Sequence, residues 1–509
     1  MSVRIVYQDI AAGAEEDAAV SAPGAAEFAD PGLLPSGGSG AAIATLEPFS
    51  WVLDGSRELL DTQQLAYWSQ TLSGPDVLFA QPPEITVSFD GRYTAPGLFL
   101  TFDPATGDYC ARLTAAWYRG ESLLARESFS PDGPEYFCAR TVEAFDRIVL
   151  RLESTGRPYW RAKLSRILFG VARTFLRPEL RDVHVVEEVS LLSDQVAVNT
   201  LEFTLDSRSD IAYMFQMKQP VSAYDGEKLL GVFYIRDSNR RAWGLYGVSC
   251  MDAIGVLDDA PFPGGIFQER PAGELLEEIL DGQFALDIPP ALAAAPVSGY
   301  LPPCTRRQAL QQTAFALRAM VDTSGTAAVR VYQDREETPR ILPLGRVYTG
   351  GSVDRAAIVT AVQVLAHRYS ETGQGGETVE ADGKTWYHTT EAVEILNPNT
   401  TASDKRNVVE VRDATLVTPA NAAAVAQHLY HHYSKRDTLR AQILWSGEQP
   451  GDHVAVPTPW GTRVDGYITA LRVTLSGVAA AECEVVGVDV RSVGIWEDVA
   501  SGEVDCGEL

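Results

Sequence analysis

The stretches GYITALRVTL (residues 466–475) and AECEVV (residues 481–486) decide the class of fold. In both stretches apolar and polar residues alternate, as in a β-strand with one buried face and one face in water. Ser476 and Gly477, which lie between them, are typical turn residues. We therefore predict a closing β-hairpin here.

The same alternation recurs in the N-terminal part of the chain. It marks strands at residues 84–89, 98–102, 111–118 and 147–152, with turn residues between them. Short strands at this spacing, without long helices, predict a β-sandwich over residues 43–170. Residues 1–42 combine a short strand at 3–7 with a stretch rich in Ala, Gly, Pro and Ser, which is typical of a linker arm.

The rest of the chain alternates between β-rich and mixed segments. Runs within residues 171–263 predict a second β-rich domain, with a hairpin turn at Asp225-Gly226. Residues 264–345 predict an α/β connecting domain with a helix at 273–281 and another opened by a capping box of Thr305 and Gln308. Residues 346–490 predict a further β-rich domain with one helix, N-capped by Thr418. Residues 491–509 form an acidic tail, and the predicted fold class is mainly β with an α/β segment.

The charge of the chain excludes several classes of partner. The 509 residues include 42 Lys+Arg and 68 Asp+Glu, a net charge of 42 − 68 = −26. Such a chain would be repelled by a phosphate backbone and by an anionic membrane. The sequence contains no run of 18 apolar residues, so it predicts no membrane-spanning helix. The N-terminus MSVRIVYQDI lacks a signal peptide's apolar core, so synthesis in a cytoplasm is expected.

The sequence contains no recognisable catalytic motif, and we predict no enzyme activity, no catalytic residue and no metal site. The six cysteines lack the C-x-x-C spacing of a zinc or redox site, and buried free thiols are the favoured interpretation over a Cys110–Cys138 bridge. His428 and His432 have i, i+4 spacing that can hold a metal, but polar caps over a packed aromatic stripe are favoured. Acidic pairs such as Glu187-Glu188 and Glu277-Glu278 could indicate a glycosidase, which needs two carboxyl groups across a cleft. Adjacent strand residues such as Glu187 and Glu188 point to opposite faces and cannot pair in this way. With 68 acidic residues, chance pairs are expected, and solvated surface is the favoured interpretation.

One aromatic cluster is a candidate binding site. Trp117, Tyr118 and Arg119 end a strand and precede Gly120, a position where a binding residue is often placed. Sugars stack on aromatic rings beside polar groups, so these three residues are the candidate carbohydrate-binding residues. The alternative is that most of the rings in this domain belong to the core.

Several segments resemble the hub proteins of tails of phages and prophages that infect Gram-positive bacteria. They are VVEEVSLLSDQVAVNTLEFTL (185–205), LGVFYI (230–235), YGVSCMDAIGVL (246–257), GEQPGDHV (447–454), GYI (466–468) and LSG (475–477). The region from LDG (53–55) to RILFG (166–170) resembles a galactose-binding-like, discoidin-type sandwich inserted near the N-terminus.

The resemblance implies a structural virion protein made in the bacterial cytoplasm and located at the tail tip or baseplate. Residues 171–263 and 346–490 would be two hub-type β-barrel domains. A homotrimeric ring would join the tail tube and distal tail protein to a central spike or fibre, with the tape measure protein as a further partner. DNA would pass through the ring without specific binding, since negative walls repel phosphate.

The inserted sandwich leaves alternatives open. It could bind a host-surface glycan in host attachment, or contact neighbouring baseplate proteins. Discoidin-type folds often hold a structural calcium ion, and Asp54 and Asp61 lie near the usual loop, without a full set of oxygen ligands. The alternative functions are a carbohydrate-binding adhesin of the tail and a cell-wall-degrading tail enzyme.

Overall fold

The structure of the chain is a computed structural model. The structure describes residues 3–11, 13–38, 44–45, 47–48, 50–51, 65–103, 105–206, 215–333, 338–373, 377–401, 403–475 and 479–491. Strands make up 52% of the structure and helices 12%, so the prediction of a mainly β chain is confirmed. No helix among these residues is long and apolar enough to cross a membrane.

The chain folds into two compact units. The small unit is Val6–Thr174, and the large unit combines Met1–Ile5 with Phe175–Leu509. The predicted sandwich, residues 43–170, falls within the small unit, although its predicted first residue, Ile43, lies outside the described residues. The finer division into six segments stays a prediction.

The first ten strands lie in or border the small unit. They are β1 (Val3–Ile10), β2 (Ala19–Ser21), β3 (Tyr67–Trp68), β4 (Glu84–Thr101), β5 (Cys110–Arg119), β6 (Ser122–Phe129), β7 (Glu135–Thr155), β8 (Lys163–Leu164), β9 (Arg166–Leu168) and β10 (Gly170–Leu176). The short helix α1 is Ala14–Asp17, and a 3-10 turn spans Pro31–Leu33. β1 and β10 each run from one unit into the other.

The small unit is built on one main antiparallel sheet. Its strand order is β2-β4-β7-β5-β6, with β9 also paired to β4, and β3 and β8 form a separate pair. The two runs predicted at 84–89 and 98–102 are one long strand, β4, with register shifts between Ser88 and Gly97. Ala14 and Leu34 are fully buried in the same core as this sheet, so part of the segment predicted as a linker arm is packed into the unit.

Among the described residues, the large unit contains the other strands and five helices. The strands are β11 (Leu180–Glu188), β12 (Thr200–Asp206), β13 (Pro220–Asp225), β14 (Lys228–Ala242), β15 (Leu245–Met251), β16 (Pro261–Phe262), β17 (Gly265–Pro271), β18 (Leu286–Asp287), β19 (Pro296–Leu301), β20 (Cys304–Thr305), β21 (Met320–Asp322), β22 (Val329–Tyr332), β23 (Arg340–Ile341), β24 (Ser352–Arg355), β25 (Ala361–Ser370), β26 (Glu377–Ala381), β27 (Lys384–Leu396), β28 (Val408–Val411), β29 (Asp437–Leu444), β30 (His453–Pro457), β31 (Thr462–Thr474) and β32 (Ala480–Arg491). The helices are α2 (Ala253–Asp258), α3 (Ala272–Leu280), α4 (Pro290–Ala293), α5 (Arg306–Leu317) and α6 (Ala422–Ser434), with a 3-10 turn at Leu344–Arg346.

The largest sheet joins two β-rich regions that are distant in sequence. Within the large unit its order is β13-β14-β15-β12-β11-β31-β32-β29-β24, with β30 also paired to β31. The junction is the antiparallel pair β11–β31, in which His184 lies opposite Thr474 and Glu188 lies opposite Ala470. The predicted closing hairpin is the β31–β32 pair, and its turn residues 476–478 lie outside the described residues.

Two further cores complete the large unit. Helices α2, α3 and α5 share a core with Phe262, Val329 and Val331. Strands β26-β27-β25-β28 form a four-stranded sheet, and α6 packs on this region through Val425 and Leu429.

Two of the three predicted helix features agree with the structure. The predicted helix at 273–281 is α3, and the capping box of Thr305 and Gln308 at the start of α5 is confirmed. The prediction that Thr418 caps the last helix is wrong, because α6 begins at Ala422 with Asn421 at the N-cap. The Asn421 side chain instead accepts a hydrogen bond from the Thr418 N–H at 2.7 Å.

Candidate assembly surface

The β14–β15 hairpin combines exposed basic residues with an exposed tryptophan. Its strands pair from Tyr234–Met251 out to Ala242–Leu245, and the turn is Trp243-Gly244. Gly244 has φ of 73°, in the left-handed region that glycine adopts without strain. We call residues 236–243 the hairpin tip.

The residues of the hairpin change from buried at its base to exposed at its tip. At its base, Phe233 and Ile235 are buried, whereas every residue from Arg236 to Ala242 is exposed. Trp243 is 77% exposed, although it is one of the largest apolar side chains in the chain. Exposed Trp and Arg side chains are enriched at sites where proteins bind each other.

The hairpin tip is basic in an acidic chain. It carries Arg236, Arg240 and Arg241 against Asp237, so its charge is 3 − 1 = +2, while the chain carries −26. In the described part of the chain, none of these three arginines forms an ion pair with an acidic side chain. Arg241 Nε donates to Asn239 Oδ1 at 3.3 Å, and the Arg240 guanidinium lies 5.8 Å from the Tyr246 ring centroid. The tip therefore presents positive charge to a partner.

The start of β14 is tied to the loop GEQPGDHV (447–454) that carries the hub resemblance. Lys228 Nζ, at the start of β14, donates to the Gly447 carbonyl oxygen at 2.9 Å. In the loop, the fully buried Glu448 carboxylate accepts from Arg340 at 2.6 Å, from Arg346 at 2.9 Å and from the Ser446 N–H at 2.9 Å. Burial opposes ionisation, but the hydrogen bonds from the Ser446 N–H and Arg346, together with the charge of Arg346, outweigh it and lower the pKa of Glu448. These contacts hold the loop in place, and we call Glu448 with its donors Arg340, Arg346 and Ser446 the structural clamp.

A buried polar network links the first β-rich region to the α/β region. Asp252 caps α2 by accepting from Gly255 N at 3.0 Å, and it also accepts from Thr323 Oγ1 at 2.7 Å and from Asn199 N at 3.1 Å. Burial raises the pKa of Asp252 to about 6. Asn199 Nδ2 donates to Thr323 Oγ1 at 3.0 Å, so three chain segments meet in this network.

Glu187 corrects one sequence interpretation. The prediction that Glu187 lies on a solvated surface is wrong, since it is 5% exposed and its position on β11 faces inward. Burial first, and then the charge of Asp322, raise the pKa of Glu187 to about 8. Lys228, Arg330 and a hydrogen bond from Ser324 act in the opposite direction. Glu277 and Glu278 on α3 are exposed, as interpreted.

The candidate carbohydrate-binding residues lie at the end of β5, and only two of them reach the surface. Trp117 is 1% exposed and packs in the core of the small unit, so its ring presents no face to a ligand. The Tyr118 ring lies 4.7 Å from the Arg147 guanidinium, and Arg119 donates to the carbonyl oxygens of Ala144 at 2.8 Å and Glu143 at 3.1 Å. A sugar-stacking role for Trp117 does not fit this geometry, and a role for Tyr118 and Arg119 stays a prediction.

Other sequence candidates are placed as follows. His428, His431 and His432 lie on α6, where His432 packs edge-on against Tyr433, and burial lowers its pKa to about 4. Within the described residues, no group of three or more His, Cys, Asp or Glu side chains is placed to hold a metal ion. Cys110, Cys138, Cys250, Cys304 and Cys483 are free thiols, and Cys506 lies outside the described residues.

The calcium ion implied by the discoidin resemblance has no fitting site among the described residues. Asp54 and Asp61 lie outside them. In the small unit, three buried carboxylates do converge, those of Glu47, Asp103 and Asp108, but the Lys163 ammonium lies among them. This cluster is already occupied by a cation of the chain itself.

Sequence patterns alone do not identify the hairpin tip or its Trp243. The structure places it in the turn before β15. The signal that could have found it is the run Arg240-Arg241-Ala242-Trp243-Gly244, a basic and aromatic stretch before glycine in an acidic chain.

Comparisons with family models and with curated protein sequences find no match. Among solved structures, the tail protein from Neisseria meningitidis MC58 is 12% identical with a TM-score of 0.46, over 62% of this chain and 93% of that chain. The 43 kDa tail protein of prophage MuSo2 from Shewanella oneidensis is 11% identical with a TM-score of 0.44, over 62% and 96%. Wild-type discoidin II from Dictyostelium discoideum is 9% identical with a TM-score of 0.21, over 48% and 90%. All three TM-scores are too low to transfer a function to this chain.

Proposed function

We propose that this protein is a structural component of a phage tail, a hub or tail-tip ring of three copies that joins the tail tube to a central spike or fibre. The observation that carries the proposal is the β11–β31 junction, which sets two β-rich regions side by side in one sheet. A chain with two such regions can present six similar contacts from three copies, which suits a sixfold tube on one side and a threefold spike on the other. The role assigns no catalytic residue.

The segments that resemble hub proteins support the same proposal. They correspond to β11, β12, β14, β15, β30 and β31, which all belong to this sheet, and to the clamp around Glu448. Residues quoted from distant parts of the sequence therefore lie in one structural unit.

The hairpin tip is the proposed contact with the neighbouring copy. Its charge of +2 is opposite to that of a second copy of this chain, which carries −26 overall. Attraction between opposite charges speeds association, and burying Trp243 supplies apolar contact area. The acidity of the remaining surface suits a channel through which DNA passes without binding.

Light scattering on the purified full chain, alone and with its tail-tube and distal-tail partners, tests the proposal. We expect three copies per particle. The double variant R240E/R241E should reduce the particle to single copies, because it reverses the charge of the tip. The control K405E/R406E changes two adjacent exposed cations elsewhere in the large unit and should leave three copies.

Two results separate the two parts of this proposal. A wild-type chain that stays a single copy beside its partners contradicts the hub role. A wild-type trimer that R240E/R241E leaves intact contradicts the role of the hairpin tip and leaves the hub role standing.

A further inference from the structure

Lys163 on β8 is a lysine buried among three carboxylates. Its side chain is 3% exposed, and Nζ lies 3.1 Å from Glu47 Oε2, 3.4 Å from Asp108 Oδ2 and 3.7 Å from Asp103 Oδ2. The side chains of Glu47, Asp103 and Asp108 are 1%, 7% and 11% exposed. Lysine is almost never buried to this degree unless it is paired.

Two indole rings complete the surroundings of the ammonium. Nζ lies 4.4 Å from the Trp68 ring centroid and 4.6 Å from the Trp160 ring centroid. A cation over an aromatic face is attracted by the ring quadrupole, more strongly where water is excluded. The ammonium is therefore surrounded by three carboxylates and two rings.

The carboxylates are held in place by other groups. Glu47 accepts from Thr45 Oγ1 at 2.8 Å and from Arg161 N at 2.8 Å. Thr106 Oγ1 lies 2.7 Å from Asp103 Oδ2 and 2.6 Å from Asp108 Oδ2. These contacts keep the three carboxylates together around the ammonium.

The charge of the cluster is unbalanced without Lys163. Three carboxylates face one ammonium, and among the described residues the other ion pair recorded for them is that of Asp108 with Arg157, which is 58% exposed and 3.6 Å away. Nζ donates a hydrogen bond to Asp108 Oδ2 and forms ion pairs with Glu47 and Asp103. All three distances are longer than the distance of about 2.3–2.6 Å at which Ca²⁺ binds oxygen. Carboxylates in such a setting must gain a cation or a proton once the lysine is lost.

We infer that Lys163 is the internal cation of the small unit: it takes the place of a bound divalent ion, and removing its ammonium turns the cage of Glu47, Asp103 and Asp108 into a divalent-cation site. The unit should then fold without calcium as long as Lys163 is present. This role is independent of the proposed function of the tail hub.

Thermal unfolding of the full chain, followed with and without CaCl2 and with EDTA, tests the inference. The wild type should show the same Tm in all three conditions. K163A should lower the Tm of the small unit by at least about 6 °C, since it leaves buried charges without a partner. CaCl2 should raise the Tm of K163A by about 3 °C or more, while K163M, whose side chain fills the space, should not respond. The exposed Lys384 gives the control K384A, which should behave as the wild type.

A double-mutant cycle keeps the inference testable if K163A fails to fold. E47Q should cost much less stability in the K163M background than in the wild type, because it removes the carboxylate that K163M leaves unpaired. A wild type stabilised by CaCl2 or destabilised by EDTA overturns the inference. So does a folded K163A that ignores CaCl2, or a cycle in which the two substitutions are simply additive.

Discussion

Two hairpins of this chain carry similar residues near their turns and place them in opposite ways. The β5–β6 hairpin reads Trp117-Tyr118-Arg119-Gly120, and the β14–β15 hairpin reads Arg241-Ala242-Trp243-Gly244. Trp117 is 1% exposed and Trp243 is 77% exposed. The difference follows from position: Trp117 pairs with Ile148 inside the sheet and faces the core, whereas Trp243 lies beyond the last strand pair. Residue type alone does not identify a binding residue.

The arginines of the two hairpins differ in the same way. Arg119 donates to two backbone carbonyl groups of the small unit, so its side chain stabilises the fold. The side-chain contacts of Arg240 and Arg241 stay within their own hairpin. Arg119 therefore stabilises the small unit, whereas Arg240 and Arg241 remain available to a partner.

Buried acidic groups of this chain are neutralised in two ways. In the small unit, an ammonium of the chain lies among the carboxylates of Glu47, Asp103 and Asp108. In the large unit, Glu187 has a pKa raised to about 8, so near pH 7 it binds a proton instead. The large unit should consequently be sensitive to pH at this group.

The largest effect separates the two tryptophans. Trp117→Ala should destabilise the small unit by about 3–5 kcal/mol, because it leaves a cavity in the core. Trp243→Ala should change the free energy of unfolding by about 0.5 kcal/mol or less. Denaturant unfolding followed by circular dichroism measures both. Equal losses for the two variants would break the comparison.

The next effect concerns the pH dependence of stability. Glu187 has a folded pKa of about 8 against an ordinary value of 4.5, so the folded state binds the extra proton between these pH values. Stability from this group is present at low pH and falls as pH rises through this window, by at most about 1.4 kcal/mol per pH unit. The variant E187Q should lose this dependence.

Urea midpoints measured from pH 5 to pH 8 on the wild type, E187Q and the neighbouring E188Q give the test. Differences between variants isolate Glu187 from groups of opposite sign, such as His432. E188Q should follow the wild type. An E187Q curve parallel to the wild type would show that Glu187 does not hold the proton.

The smallest effect concerns Arg119. Arg119→Ala removes two hydrogen bonds at an exposed site and should destabilise the small unit by about 1 kcal/mol. The particle mass should not change. A change in particle mass without loss of stability would assign Arg119 to an interface and weaken the contrast with Arg240 and Arg241.

Local patterns in the sequence predicted much of the fold. Alternation located β31 and β32, Asp225-Gly226 marked the β13–β14 hairpin, and Thr305 with Gln308 marked the start of α5. These signals depend on residues close together in the chain. The β11–β31 junction was not predicted, since pairing between residues 290 positions apart leaves no local signal.

The candidate site was predicted less well, for a physical reason. Whether a residue such as Glu187 is buried depends on what packs on its strand face, here Asp322 and Ser324 from another segment. The sequence likewise contains no local signal for the burial of Lys163, because the three carboxylates around its ammonium come from distant loops. The alternation of apolar and polar residues predicts which residues share a face of a strand, but not which other segments pack on that face.

The most direct test of the account is site-specific photo-crosslinking from the hairpin tip. Trp243→p-benzoylphenylalanine keeps an aromatic side chain at the tip, and the same substitution at Leu396, which is 68% exposed, is the control. Illumination of the full chain, with tail partners where they are needed for assembly, should yield covalent dimers and trimers of this chain from position 243 and none from position 396. Only monomers from position 243, in a sample that light scattering shows to be trimeric, would contradict the claim that the hairpin tip joins neighbouring copies.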